Sequence, residues 1–112
     1  MVKRYFIKEV ATATETNPNF AGKVEVDICG KGEESIFSDD LYRHKDLTNN
    51  PICIAEYGYK SKSRAITEAT KQAKEIRDSE TRYGFWTYKF FVVGYSIDGN
   101  RVTPIEELEV AR

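Results

Sequence analysis

The segment from Phe85 to Ile97 (FWTYKFFVVGYSI) is apolar on both sides if it is extended. Alternate side chains of a β-strand point to opposite faces of the sheet. One face would carry residues such as Trp86 and Phe90, and the other would carry residues such as Phe91 and Tyr95. A single amphipathic helix can cover only one of these faces. We therefore expect a sheet whose second face meets another surface.

Composition limits the classes of protein to which this chain can belong. Its 112 residues suit one domain, and a domain of this size buries roughly two thirds of its extended surface. The formal net charge of −1 argues against a protein that coats nucleic acid or an anionic membrane along its whole length. The longest apolar run, Phe90–Val93, is too short to span a bilayer, and the first residues lack the apolar stretch of a secretory signal. We expect a cytoplasmic protein that does not bind membranes.

Residues that could support catalysis or metal binding are few. Cys29 and Cys53 are the only cysteines, and reduced, buried thiols are the preferred interpretation, with a disulfide between them as the alternative. His44 is the only histidine, and its neighbours Asp40 and Asp46 make a weak set of metal ligands. No nucleophilic triad or phosphate-binding glycine motif can be argued from the spacing. The sequence therefore predicts a protein that is not an enzyme and that has no cofactor or metal.

One helix is clearly predicted. Between Lys62 and Arg82, apolar residues recur at steps of three and four and form one stripe (Ile66, Ala69, Ala73 and Ile76). Ser61 or Ser63 can cap its start, and Gly84 can end it. The small alanines would let this helix lie close to a sheet.

Alternating or doubly apolar segments predict the strands. In chain order they are Lys3–Thr14, Lys23–Cys29, Ile52–Tyr59, Phe85–Ile97 with a bend or bulge at Gly94, and a return strand over Arg101–Thr103 after an Asp98-Gly99 turn. A short helix from Ser38 to Leu47 is a weaker prediction. Thr103-Pro104-Ile105-Glu106 resembles a capping box and predicts a short C-terminal helix from Pro104, with an edge strand as the alternative. The fold class is α+β: an antiparallel sheet of four to five strands with one long helix across one face.

A basic segment at the start of the predicted helix is a candidate anion-binding site. Its residues are Lys60, Ser61, Lys62, Ser63 and Arg64. Cations are unfavourable at the positive end of a helix, so a bound phosphate would explain their position. The alternative is a serine cap between solvated lysines, and this is the preferred interpretation.

Aromatic residues on the predicted strands are a candidate partner-binding surface. They are Tyr57, Tyr59, Trp86, Tyr88 and Tyr95. Such rings stack on nucleic-acid bases, and they also suit protein interfaces because each combines a large apolar area with a polar tip. Core packing is expected to take most of them.

The function expected from the sequence is that of a small interaction module. It would associate with a second copy of itself or with another protein through the second face of the sheet. The alternative is binding of nucleic acid or a phosphorylated ligand at residues 58–64 with the neighbouring tyrosines.

Overall fold

The computed structural model describes residues 2–15, 22–30, 35–37, 58–83 and 86–110. The elements, in chain order, are β1 (Val2–Ala13), β2 (Val24–Cys29), β3 (Ser35–Phe37), α1 (Lys62–Tyr83), β4 (Trp86–Asp98) and β5 (Arg101–Glu109). The long helix and the strands β1, β2 and β4 begin and end close to their predicted residues, whereas β5 begins at Arg101 as predicted and continues six residues beyond Thr103.

The described strands form one antiparallel sheet in the order β3-β2-β1-β4-β5. β1 lies in the middle and pairs with β4 along its whole length, from Val2 opposite Ile97 to Ala13 opposite Trp86. Its other side pairs with β2. The α+β fold class is therefore confirmed.

The helix α1 covers one face of this sheet, which we call the helix face. Three alanines of α1 at i, i+4 spacing, Ala65, Ala69 and Ala73, have no exposed surface. They pack against buried residues of β1 and β4, including Ile7 and Val92. Because an alanine side chain is a single methyl group, the helix axis can approach the sheet closely. The buried stripe differs slightly from the predicted one, because Ala65 is its first member and Ile66 and Ile76 lie at its margins.

The opposite face of the sheet, called here the second face, carries its own buried cluster. Its members are Phe6, Ile28, Val93, Tyr95 and Ile97, each at most 8% exposed. Phe6 and Tyr95 meet edge to face, with ring centroids 5.8 Å apart. The single chain therefore already buries much of the apolar surface that the sequence placed on this face.

Tyr59 fixes the start of α1 relative to the sheet. Its backbone N–H and C=O exchange two hydrogen bonds of 2.8 Å with Tyr5 of β1, on the side of β1 where β2 pairs. β2 ends opposite Ile7, so Tyr59 pairs with β1 on the same side, two residues beyond the end of β2. Since Ser61, two residues later, directly precedes the first helical residue Lys62, this bridge holds the N-terminus of α1 beside β1.

Gly94 is the site of the irregularity that the length of β4 predicted. The pairing of β4 with β5 changes register between Gly94 and Tyr95. The ring of Tyr5, the cross-strand neighbour of Gly94, lies so close that a Cβ at position 94 would be 3.0 Å from its Cε1 atom. A side chain at this position would therefore need the ring to move.

The C-terminal helix predicted from Pro104 is wrong. Residues 101–109 form the edge strand β5, which is paired with β4 through eight residue pairs. A capping box contributes about 1 kcal/mol to a helix, and β4 offers a complete ladder of hydrogen bonds to the same backbone. The preceding turn places Gly99 (φ 59°) and Asn100 between paired Asp98 and Arg101, one residue later than predicted.

Several predictions concern residues outside the described ranges. They are the short helix Ser38–Leu47, the strand over Ile52–Tyr59 except for its last two residues, and the individual side chains of His44, Cys53 and Tyr57. Cys29 is half-buried at the end of β2, and its alternative disulfide partner Cys53 lies outside the described residues.

Candidate functional site

The predicted anion-binding residues lie together at the exposed start of α1. Ser61 is the N-cap, because its Oγ accepts a hydrogen bond from the Arg64 N–H (3.3 Å) and its carbonyl accepts one from the Ala65 N–H (3.2 Å). The Ser63 hydroxyl lies 2.9 Å from the Ser61 hydroxyl. Both serine hydroxyls are thus already engaged within the chain. All five predicted residues, 60–64, are exposed.

The central cation of this segment has a partner in the chain. Lys62 Nζ lies 2.6 Å from Glu106 Oε1 of β5. The hydrogen bond to Glu106, together with its negative charge, raises the pKa of Lys62. Among the described residues, Lys60 and Arg64 form no ion pair. The cluster is therefore a capped helix start with one neutralised cation and two that face solvent.

The predicted aromatic residues do not form one exposed surface. Tyr59 and Tyr95 are each 6% exposed, and they belong to the clusters on opposite faces of the sheet. Tyr88 is half-buried against the helix-face cluster, and Trp86 is half-buried at the start of β4. Burial, with a smaller contribution from the charge of Glu107, raises the pKa of Tyr95. Tyr57 lies outside the described residues.

A smaller apolar surface does remain open on the second face. It consists of Val10, Val24, Val26 and Phe91, which we call the valine patch. The register places Val24 and Val26 beside β1 at Thr12 and Val10. Val24 is 52% exposed, and the other three side chains are half-buried. The alternation of polar and apolar residues in β2 predicts the strand, but it does not show which of its apolar side chains stay exposed on the sheet face.

Charged residues of both signs border the valine patch. Lys89 and Glu109 are exposed and lie on the same face as Phe91, one on β4 and one on β5. Lys8 crosses this face, with Nζ 5.4 Å from the centre of the Phe91 ring and 2.7 Å from Glu107 Oε1. The patch therefore has a mixed charged rim.

The edge strand β5 is a second exposed feature, and beyond Thr103 the sequence predicts it only as the alternative to a C-terminal helix. Only Val102 among its nine residues is half-buried, and the large apolar side chains Ile105 and Leu108 are 40% and 43% exposed. Two ion pairs, Lys62–Glu106 and Lys8–Glu107, tie it to α1 and β1. The signal in the sequence is the alternation Glu107-Leu108-Glu109, which is typical of a strand and not of a helix.

A shallow cleft lies where β4 and β5 change register. Its volume is about 410 Å³, and its lining residues are Lys8, Val93, Gly94, Tyr95, Pro104, Glu106 and Glu107. Charged groups at its rim are already paired with each other or with α1. This cleft separates the buried cluster of the second face from the outer edge of β5.

Two carboxylates lie directly opposite each other on β1 and β2. Glu9 pairs in register with Asp27. Burial, and secondarily the charge of Asp27, raises the pKa of Glu9. Like charges in this arrangement destabilise a sheet. In the described part of the chain, no group of three or more His, Cys, Asp or Glu side chains is placed to hold a metal ion.

Comparison with known proteins gives no family assignment. Neither protein-family models, nor curated proteins, nor solved structures match this chain. Among the described residues, no helix has the length and apolar character needed to cross a membrane.

Proposed function

We propose that this chain is a non-enzymatic interaction module that associates with a second copy of itself through the valine patch. The observation that carries the proposal is the half-open apolar surface of Val10, Val24, Val26 and Phe91 on the second face of the sheet. Apolar surface of this kind is stabilised when a partner removes it from water.

The charged rim favours a second copy of the chain as the partner. Lys89 and Glu109 flank Phe91 on the same face, so a twofold axis through the patch can bring Lys89 of one copy to Glu109 of the other. Such an isologous contact uses the same residues twice and closes at two copies. Because four residues provide a small area compared with a standard interface, the dimer is expected to be weak.

Analytical ultracentrifugation across a range from micromolar to millimolar protein tests this proposal. Val24→Asp places a charge in the patch of both copies and is expected to weaken association at least about tenfold. Val2→Asp is the matched control, because Val2 is an exposed valine (41%) on the same face. It lies ten residues along β1 from the position paired with Val24, which is about 33 Å.

The outcome decides the proposal directly. A weak dimer that Val24→Asp disrupts and Val2→Asp preserves would support it. A monomer of 12.9 kDa at the highest concentration would refute it, and so would equal loss of association in both variants.

Binding of nucleic acid or a phosphorylated ligand at residues 58–64 is the second candidate. The exposed cations Lys60 and Arg64 favour it, whereas the ion pair of Lys62 with Glu106 weakens it. Replacing all three cations with glutamine should abolish binding of a single-stranded oligonucleotide, and the wild-type affinity should fall steeply with salt. Binding that survives the triple substitution excludes this function.

We also infer a cytoplasmic location. The support for it is the cysteine content of the sequence, because two cysteines in 112 residues do not make the dense disulfide framework of small secreted domains. Measuring the redox state of Cys29 and Cys53 in cells would test the inference, and a stable disulfide at either residue would contradict it.

A further inference from the structure

We propose that the outer edge of β5 binds an extended peptide of another protein by strand addition, and that this peptide alternates basic and apolar residues. The site is the segment from Ile105 to Glu109. It borders the valine patch, whose charged rim includes Glu109, but the proposal does not depend on self-association.

The backbone register shows which groups of β5 face outward. Val110 N–H donates to the Phe90 carbonyl at 2.8 Å, and Leu108 and Glu106 continue the same alternation opposite Val92 and Gly94. In an antiparallel pair, every second residue directs its N–H and C=O toward the neighbouring strand. The N–H and C=O groups of Glu107 and Glu109 therefore point away from β4.

These outward groups are open to a partner strand. β5 is the last strand of the sheet in the described part of the chain, and residues 103–109 are all exposed. An antiparallel peptide can exchange two hydrogen bonds with Glu107 and two with Glu109. Pro104 has no N–H, and the register shift lies next to it, so the receptive stretch ends there.

The side chains of β5 define the chemistry of the peptide. Glu107 and Glu109 point to the second face, as their partners Val93 and Phe91 do, whereas Leu108 points to the helix face with Val92. Residues directly opposite each other on paired strands point to the same face of the sheet. The peptide residues opposite the two glutamates should therefore be Arg or Lys, and the residue between them, beside the exposed Leu108, should be apolar.

Charge also argues against a second copy of this chain at the edge. Pairing two β5 strands about Leu108 would place Glu107 of one copy opposite Glu109 of the other. Like charges directly opposite each other are destabilising. A basic strand from a different protein replaces this repulsion with attraction, most of it to Glu109, because Lys8 already pairs with Glu107.

The test is an NMR titration with the peptide acetyl-Thr-Arg-Val-Arg-Thr-amide. It uses the full chain carrying Val24→Asp, so that self-association through the valine patch does not interfere. Two matched peptides separate backbone pairing from charge. One peptide is N-methylated at the backbone nitrogens of both arginines, whose N–H groups would point toward β5. The other is N-methylated at the backbone nitrogen of the valine, whose N–H would point away from β5.

We expect the unmodified and valine-methylated peptides to bind and to slow amide exchange at Glu107 and Glu109. The arginine-methylated peptide should bind at least about tenfold more weakly, because it cannot donate to β5. In the protein, Glu109→Pro removes an outward donor but no ladder bond and should weaken binding similarly. Glu109→Gln keeps the donor, removes one charge and should have a smaller effect.

Three results would overturn the proposal. They are absence of binding by the unmodified peptide, equal binding of both N-methylated peptides, and binding without slowed exchange at Glu107 and Glu109. If Glu109→Pro loosens β5 itself, fast exchange at Leu108 will reveal it. The two N-methylated peptides, compared on protein without the Glu109→Pro substitution, then decide whether the peptide pairs with the backbone of β5.

Discussion

Adding one methyl group at Gly94 should destabilise this fold, because the ring of Tyr5 occupies the space that a side chain would need. A Cβ at position 94 would lie 3.0 Å from Tyr5 Cε1, 3.2 Å from Tyr5 Cδ1 and 3.1 Å from Glu106 Cγ. Favourable carbon–carbon contacts lie at about 3.5–4.0 Å. Glu106 is exposed and can move. Tyr5 is buried, and its backbone is held by two hydrogen bonds to Tyr59.

The magnitude follows from two opposing effects. Forcing an extra methyl group into a packed site costs about 1–3 kcal/mol. Replacing glycine with alanine also reduces the conformational entropy of the unfolded chain, which stabilises the fold by about 0.4–1 kcal/mol. Gly94 is not among the glycines with positive φ, so alanine adds no backbone strain. We expect a net loss of about 1–2 kcal/mol, which lowers Tm by about 4–8 °C for a domain of this size.

A double-mutant cycle assigns the cause. Tyr5→Val keeps a residue type that favours strands and keeps the backbone bridge to Tyr59, but it removes the ring atoms near position 94. In that background, Gly94→Ala should be neutral or slightly stabilising, which gives a coupling energy of about 1–3 kcal/mol. Urea unfolding can be followed by circular dichroism and by the fluorescence of Trp86, the only tryptophan.

The reasoning fails if Gly94→Ala costs the same free energy in both backgrounds, since the ring would then not be the obstacle. It also fails if alanine stabilises the wild-type chain. Either result would mean that Tyr5 can shift without loss of packing.

Three further predictions concern α1 and the paired carboxylates. Ala69→Leu should cost about 1–3 kcal/mol of stability, because Ala69 is fully buried between helix and sheet; an unchanged Tm would mean that the helix can lift off the sheet at little cost. Ser61→Ala should cost about 0.5–2 kcal/mol through loss of the N-cap, and a larger loss in Ser63→Ala would contradict this assignment. Glu9→Gln should raise Tm at neutral pH. The pKa of Glu9 is raised in the folded state, so the folded state holds this proton more strongly than the unfolded state does, and stability falls as pH rises through the raised pKa. The difference should vanish below a pH of about 4, where the glutamate is protonated in both states, and a Gln variant that is less stable at neutral pH would refute the sign.

The sequence determined the elements whose local signals agree with each other. The helix was predicted over Lys62–Arg82 and forms over Lys62–Tyr83, because a serine cap, a 3.6-residue apolar period and strong helix formers coincide there. β4 was predicted within one residue at each end, because a run of aromatic and β-branched residues favours only an extended conformation. The irregularity at Gly94 also followed from strand length and glycine alone.

Other features depended on partners distant in the sequence. The capping box at Thr103 is a local signal of about 1 kcal/mol, and the open edge of β4 outweighed it by pairing with the whole of β5. The positions of Tyr59 and Tyr95 were decided in the same way. Each follows a glycine and precedes a polar residue in the sequence, yet one packs under α1 and the other in the cluster on the opposite face.

The chain's own periodicity thus determined that it would form a sheet with two apolar faces and one helix to lie on it. Only the tertiary structure decided how much of the second face stays open, because burial depends on which segments meet in space and not on the order of polar and apolar residues. The valine patch and the outer edge of β5 are what remain exposed after those contacts form. A partner can bind only to surfaces that stay exposed in this way, and local sequence patterns do not predict which ones they are.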